Sequence, residues 1–361
     1  MAEIGFIPKD RLRDFLETVN KTIPVYVPCC EGDVVLFRRY AVDNVLCLDR
    51  PAHTPPKTII FPQSECLFTF RFEKDPHDPK KTTIQLAEPE EPSEAIIFAA
   101  RPCDAKGFTI YDRVYIDTDM PDPYYKKRRE KTTIVTMVCP SPSPGCFCTA
   151  VGGSPANREG ADVMMTELEN GYVLESLTEK GKALLLYQYV EDGQAFREAA
   201  EAKQLEVKNL VHAPFQKEGV YNISKTIFNS DEFWETEIDK CISCGACTYL
   251  CPTCYCFNIT DEHAITRGER LRNWDACMFF HFTLEASGHN PRPTKYQRFK
   301  NRVGHKFLYY PEKYDGVIAC CGCGRCIRHC PVSVDIREIV AHLQSSTSDV
   351  SNTSEKEKKG D

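Results

Sequence analysis

Two stretches of this chain, "CISCGACTYLCP" from Cys241 and "CCGCGRCIRHCP" from Cys320, share four cysteines, the Gly inside CG-x-C and the closing Pro. Both read C-x2-C-x2-C-x3-C-P: Cys241, Cys244, Cys247 and Cys251-Pro252, then Cys320, Cys323, Cys326 and Cys330-Pro331. Three thiolates spaced by two residues on a tight loop can hold three corners of an iron–sulfur cubane. The fourth, four residues on, points away from that loop, and in two-cluster ferredoxins it crosses to the neighbouring cluster. The duplication then has a reason, because each copy lacks the ligand that the other supplies. One 4Fe–4S cluster is expected on Cys241, Cys244, Cys247 and Cys330, and a second on Cys320, Cys323, Cys326 and Cys251. Gly245 and Gly324 suit the bend, since a residue without Cβ takes positive φ freely and lets backbone amides approach sulfur. Zinc also uses C-x2-C pairs, but it takes two pairs and gives no reason for a third Cys in register followed by Cys-Pro.

The cysteine total points the same way. Of 20 cysteines, 12 lie between Cys241 and Cys330 and three more between Cys139 and Cys148. In a secreted protein such a surplus would mean disulfides. The start, "MAEIGFIPKDRLRDFL", has no basic region leading into an apolar one, so no signal peptide and a cytoplasmic location are expected. The longest apolar runs, "EAIIFAA" and "KALLLYQYV", are too short to insert in a membrane. A net charge of −7 argues against a nucleic-acid partner. In a reducing compartment the surplus reads as metal ligands.

The surroundings of the two runs differ. The first carries Ala246, Tyr249 and Leu250, the second Arg325, Arg328 and His329. One cation ~7 Å away, at an effective dielectric near ~20, is worth about 2 kcal/mol. For a one-electron couple that is on the order of 100 mV. The second-run cluster is therefore expected to have the higher potential, tuned by Arg325, Arg328 and His329.

Other cysteines leave readings open. Cys103 follows the strand-like "EAIIFAA", and Cys139, Cys146 and Cys148 follow the strand-like "TTIVTMV". These four thiols can complete a third iron–sulfur cluster, or they are buried free thiols. Cys254, Cys256 and Cys277 form another set, redox-active or merely packed beside the clusters. Cys321 should only donate a weak hydrogen bond, and Cys29, Cys30, Cys47 and Cys66 show no ligand spacing. Between the runs, "PRPTKYQRFKNRVGHKFLYY" holds Arg292, Lys295, Arg298, Lys300, Arg302, His305 and Lys306. It reads as a basic face beside anionic clusters or one that docks an acidic partner, rather than as a nucleic-acid surface. No G-x-G-x-x-G, P-loop or nucleophile elbow occurs.

The fold class expected is α+β: an N-terminal mixed α/β domain over residues 1–215, then a helix-rich, ferredoxin-like dicluster domain over 236–343. Residues 216–235 read as a linker and 344–361 as a disordered tail. "DRLRDFLETVN" places Leu12, Phe15, Leu16 and Val19 on one helical face. "IPVYVP", "DVVLFRRY", "KTIIFP", "CLFTFRF", "EAIIFAA" and "TTIVTMVC" read as strands. "DIREIVAHLQ" reads as a last helix, with Asp335 and Glu338 as a capping pair.

In order along the chain, "PPKTIIFPQSECLF", "RPCDAKG", "CFCTAVGG", "CISCGACTYLCPTCYCF", "GERLRNWDAC", "RVGHKFLYY" and "CCGCGRCIRHCP" resemble the beta subunit of cytoplasmic sulfhydrogenases. They resemble the corresponding electron-transfer subunit of anaerobic sulfite reductase equally, over about residues 55 to 340. The resemblance implies a non-catalytic electron-transfer subunit with two 4Fe–4S clusters. It also implies a flavin- and NAD(P)H-binding partner subunit that resembles ferredoxin reductases. The terminal partner would be a nickel–iron hydrogenase, a siroheme sulfite reductase or part of an electron-bifurcating complex. Two rivals are a direct sulfur-compound reductase, working at an N-terminal cluster or flavin, and a zinc-stabilised scaffold.

Overall fold

The computed structural model describes residues 3–344 apart from 79, 213, 216, 221, 222 and 224. The expected disordered tail lies, beyond residue 344, outside the described residues. Twelve strands are numbered here in chain order: β1 (Ile4–Pro8), β2 (Val25–Glu31), β3 (Val34–Arg39), β4 (Ser64–Lys74), β5 (Thr82–Ala87) and β6 (Ala95–Ala100). The rest are β7 (Thr132–Met137), β8 (Val163–Glu167), β9 (Gly171–Ser176), β10 (Glu191–Asp192), β11 (Phe257–Ala264) and β12 (Arg267–Trp274).

Eight strands form one sheet in the order β10-β1-β9-β8-β7-β6-β2-β3. Its centre, β2, β6, β7 and β8, is parallel, and the flanking pairings are antiparallel. Central parallel strands are covered on both faces and so read as continuous apolar runs. In β6, Ile96 and Phe98 pack on one side with Phe15 and Leu16 of the helix Leu12–Asn20, while Ile97 packs on the other with Phe108 and Tyr111 of the helix Pro102–Tyr115. The first of those helices buries Leu12, Phe15, Leu16 and Val19, the face its spacing predicts. The second belongs to the crossover from β6 to β7, so the loops that follow these two strands emerge side by side.

The mixed α and β content agrees with the α+β class expected, but the chain is less divided than expected. A second, antiparallel sheet has the order β11-β12-β4-β5, joining the hairpin Ser64–Ala87 to one lying between the cysteine runs. Buried Arg272 of β12 fastens the joint, donating to Glu65 and, at 2.5 Å, to Asp122. The segment read as a linker is no tether. Val220, Phe228 and Trp234 are buried in a core with Phe299, Val303, Phe307, Ile336 and Val340, and Trp234 Nε1 donates to the Phe228 carbonyl at 2.6 Å. Its polar residues suggested a connection, but its spaced aromatic and aliphatic side chains are core residues. "KTIIFP" is also not a strand. Pro56 begins a helical turn, Lys57–Ile60, which the prolines on either side favour over an extended ladder. Residues 336–344 are helical, and the Asp335 carboxylate accepts from the Arg337 N–H at 2.8 Å, while Glu338 is exposed.

Candidate metal centres

The two cysteine runs fold alike because their spacing and glycines demand it. In each, the amide two residues after the first Cys donates to that thiol: Ser243 to Cys241 and Gly322 to Cys320, both at 3.4 Å. Those two amide residues have φ of +55° and +63°. Gly245 and Gly324, at +76° and +69°, then start four-residue helical turns, Ala246–Tyr249 and Arg325–Arg328. Each run thus curls its first three thiols round one centre and carries its fourth away. Val334 N–H donates to the fourth thiol of the second run, Cys330, at 3.2 Å.

The fourth thiols exchange partners. One cavity is walled by Cys241, Cys244 and Cys247 together with Cys330, and Cys326 also reaches it. Another is walled by Cys320, Cys323 and Cys326 together with Cys251. Among the described residues no three Cys, His, Asp or Glu side chains gather closely enough to hold a single metal ion. The thiols stand round spaces instead, as a multi-atom inorganic cluster requires. Arg302 walls both cavities and is buried. Its Nη2 donates to the Cys247 carbonyl at 3.0 Å, but among the described residues its Nε and Nη1 have no hydrogen-bond partner. An orphaned buried guanidinium facing four-thiol spaces fits an anionic cluster bound there. Lys306, equally buried, donates to Cys251 Sγ at 3.5 Å and to Thr253 Oγ1 at 2.8 Å. The Cys321 thiol hydrogen-bonds Cys323 and, against the effect of burial, draws it down to about 7.

The four N-terminal thiols also converge. Cys103 lies in the first turn of the helix after β6, and Cys139, Cys146 and Cys148 follow its neighbour β7. Together they wall a cavity at the carboxyl ends of parallel strands, where α/β sheets place ligands. Cys323 and Arg325 of the second run complete its wall. Arg101 lines it too; its Nη2 donates to the Leu48 carbonyl at 2.5 Å and, among the described residues, its Nη1 has no partner. The contact is close: a Cβ on Gly322 would lie 2.5 Å from the Cys148 nitrogen. Phe147 N–H donates to the Gly322 carbonyl at 2.8 Å.

The three residues expected to tune the second-run cluster sit in different surroundings. Arg325 is fully buried but donates to both carboxylate oxygens of Asp104, at 2.6 and 3.3 Å, so its charge is largely cancelled. Its placement makes it a clamp between the second run and the N-terminal part. Arg328 donates to the Cys323 carbonyl at 3.0 Å and approaches Cys146 Sγ at 3.8 Å, so it faces the N-terminal thiols as well. His329 lies beside His53, the rings tilted by 49° with 5.1 Å between their centres, and lines none of these three cavities. Cys254, Cys256 and Cys277 line none of them either. The Cys254 carbonyl accepts from Lys57 Nζ at 3.0 Å and from the Tyr111 hydroxyl, while the Cys277 thiol hydrogen-bonds Cys256 and lowers its pKa. Burial draws Lys57 down to about 8.

Sequence reasoning did not single out Arg101, Asp104 or Lys57. It named Arg302 and Lys306 only within a basic stretch, although their spacing of four from Arg298 was the signal. Arg298, Arg302 and Lys306 of that stretch are buried, and the last two line the cysteine-walled cavities.

Residues 240–334 match the model of the 4Fe-4S dicluster domain family. Sulfhydrogenase 2 subunit beta of Pyrococcus furiosus is 30% identical over 332 residues, 89% of this chain and 92% of that protein. The chain belongs to the sulfhydrogenase beta-subunit family. Members of this family and the dicluster match identify it as an iron–sulfur protein of the 4Fe–4S type. A shorter similarity, 34% over 86 residues, relates 23% of the chain to 22% of the F420-dependent formate dehydrogenase 1 subunit beta of Methanococcus maripaludis. No solved structure matches. Among the described residues no helix is long and apolar enough to cross a membrane.

Proposed function

We propose that this protein is the electron-transfer subunit of a cytoplasmic multisubunit oxidoreductase, a relay of three iron–sulfur stations rather than an enzyme in its own right. Cys241, Cys244, Cys247 and Cys330 would hold the first cluster, and Cys320, Cys323, Cys326 and Cys251 the second. Cys103, Cys139, Cys146 and Cys148 would hold a third. When bound, each cluster supplies reversible one-electron chemistry. The observation that carries the reading is the sharing of walls. Cys326 and Arg302 line both the first and second spaces, and Cys323 lines both the second and third. The three sites therefore abut in sequence, with the second run in the middle.

The chain's own residues hold this order. The Arg325–Asp104 pair and the Gly322–Phe147 contact fix the second run against the N-terminal loops. At the far end Cys244 is exposed beside Ile242, which gives the first station an opening to a docked partner. The relatives are named as beta subunits of a sulfhydrogenase and a formate dehydrogenase, which supports membership of a complex. A flavin- and NAD(P)H-binding subunit on one side and a terminal redox subunit on the other fit such a relay. The terminal subunit would be a nickel–iron hydrogenase, a sulfite reductase or a bifurcating enzyme.

Anaerobic purification with iron and acid-labile sulfide counting tests the proposal. Three cubanes require about twelve irons per chain. About eight would remove the N-terminal station, and a colourless chain holding zinc without sulfide would overturn the reading.

A further inference from the structure

Arg298, Arg302 and Lys306 follow one another at four-residue spacing along the helix Lys295–Gly304 and the π-helical turn His305–Tyr309 that continues it. Long cationic side chains normally leave such a face for water. Here all three are buried, with 7%, 2% and 2% of their surface exposed. Arg298 is satisfied by carbonyls, donating to Met278 at 2.9 Å and Pro293 at 2.8 Å, and so anchors the helix. The other two differ. Arg302 lines both cysteine-walled cavities and donates only to the Cys247 carbonyl, while Lys306 lines the second and donates to Cys251 Sγ at 3.5 Å, Thr253 Oγ1 at 2.8 Å and the Ala319 carbonyl at 3.2 Å; among the described residues neither has a carboxylate partner. Arg325 supplies the contrast on the same scale of burial, for it has its own carboxylate in Asp104.

A buried cation without a countercharge is strongly disfavoured. Two such cations, one turn apart and aimed at thiol-walled spaces, need a fixed anionic object between them. We propose that Arg302 and Lys306 are the built-in countercharges of the cluster pair, Arg302 shared between both stations and Lys306 dedicated to the second. This rests on the proposed ligation of the two runs. Reduction adds one negative charge to a station, and a fixed cation stabilises that state more than the oxidised one. The two side chains therefore hold the potentials up, a role the sequence had suggested for Arg325.

The test is an EPR-monitored redox titration of the whole, anaerobically isolated protein. In Lys306→Met, the second-run cluster should show at least about a tenfold fall in its reduced-to-oxidised ratio at fixed potential, 59 mV for a one-electron couple. The first-run cluster should move much less. Arg302→Gln should shift both clusters downward, and Arg302→Lys and Lys306→Arg should restore most of each shift. Full iron content with unmoved potentials in Lys306→Met overturns the proposal while leaving the ligation intact. Should Lys306→Met lose iron, Lys306→Gln and Lys306→Arg decide: Arg must keep both iron and potential, and an Arg variant as impaired as the neutral ones overturns the role of charge. A wild-type protein lacking acid-labile sulfide would defeat the ligation itself, a distinguishable failure.

Discussion

The two cysteine runs share a ligand spacing and nearly share a backbone, yet they occupy opposite kinds of place. In the first, Cys244 is exposed and Ile242 is 61% exposed. In the second, Cys320, Cys321 and Cys323 are buried and Arg325 is wholly enclosed. The difference lies outside the ligand pattern. The second run is covered by the loop that carries Cys146 and Cys148, through the close approach of Gly145 to Gly324 and of Cys148 to Gly322. The first is backed by Phe279, whose ring a Cβ on Gly245 would meet at 2.8 Å, and otherwise opens outward. The ligand spacing is the same in both, and the packing round each run decides whether it lies open or enclosed.

The strongest break of this comparison exchanges the crossing thiols. Cys251 lies in the first run and walls the second cavity, while Cys330 does the reverse. Cys251→Ser should therefore abolish or convert the buried second-run cluster, and Cys330→Ser the open first-run cluster, each with loss of up to about four irons. EPR of the reduced variants, with iron counting, checks this. Loss of the cluster belonging to each residue's own run would refute the interleaving.

Next in size is the clamp that buries the second run. Asp104→Asn keeps an oxygen able to accept from the Arg101 N–H, which Asp104 now caps at 3.2 Å, but it takes from enclosed Arg325 its carboxylate partner. A broken buried pair costs about 3–5 kcal/mol. Denaturant unfolding of the cluster-loaded protein under anaerobic conditions should show that loss, and Asp104→Asn with Arg325→Met should recover part of it. Nothing equivalent exists at the first run, where Ala246 occupies the position of Arg325. Ala246→Ser should change stability by less than about 0.5 kcal/mol.

What could be read in advance follows the same division. The eight run cysteines and the two left-handed glycines were legible because ligand spacing and a φ requirement are local properties. The helix at Leu12–Asn20 and strands β6 and β7 were legible by periodicity. The neighbouring positions of β6 and β7, which bring Cys103 to Cys139, belong to topology that a single strand's pattern does not encode. The pairing of β4 with β12 joins residues about 200 positions apart, and neither hairpin announces its partner. Arg302 and Lys306 were visible as charges, but the direction of a helix face depends on what packs against it. The carboxylate partner of Arg325 was hidden for the same reason, since Asp104 lies 221 residues earlier.

The smallest effect isolates the backbone. Ser243 and Gly322 occupy equivalent places, both with positive φ, but one has a side chain and the other has none. A Cβ on Gly322 would lie 2.5 Å from both Phe147 C and Cys148 N, backbone atoms that cannot swing aside. Gly322→Ala thus combines a left-handed cost of about 1–2 kcal/mol with a forced retreat of the N-terminal loop. A total near 2–3 kcal/mol is expected, with the N-terminal cysteine site perturbed before the others because Cys148 must move. At Ser243 the loop is open enough for a side chain, so Ser243→Ala should be nearly silent. Ser243→Gly should stabilise by up to about 1 kcal/mol, since glycine relieves the left-handed strain but adds freedom to the unfolded chain. Thermal or denaturant unfolding of the loaded variants ranks them. If Gly322→Ala and Ser243→Ala proved equally mild, the second run would not be held against the N-terminal loop, and the contrast between the open and the enclosed run would fail at its point of contact.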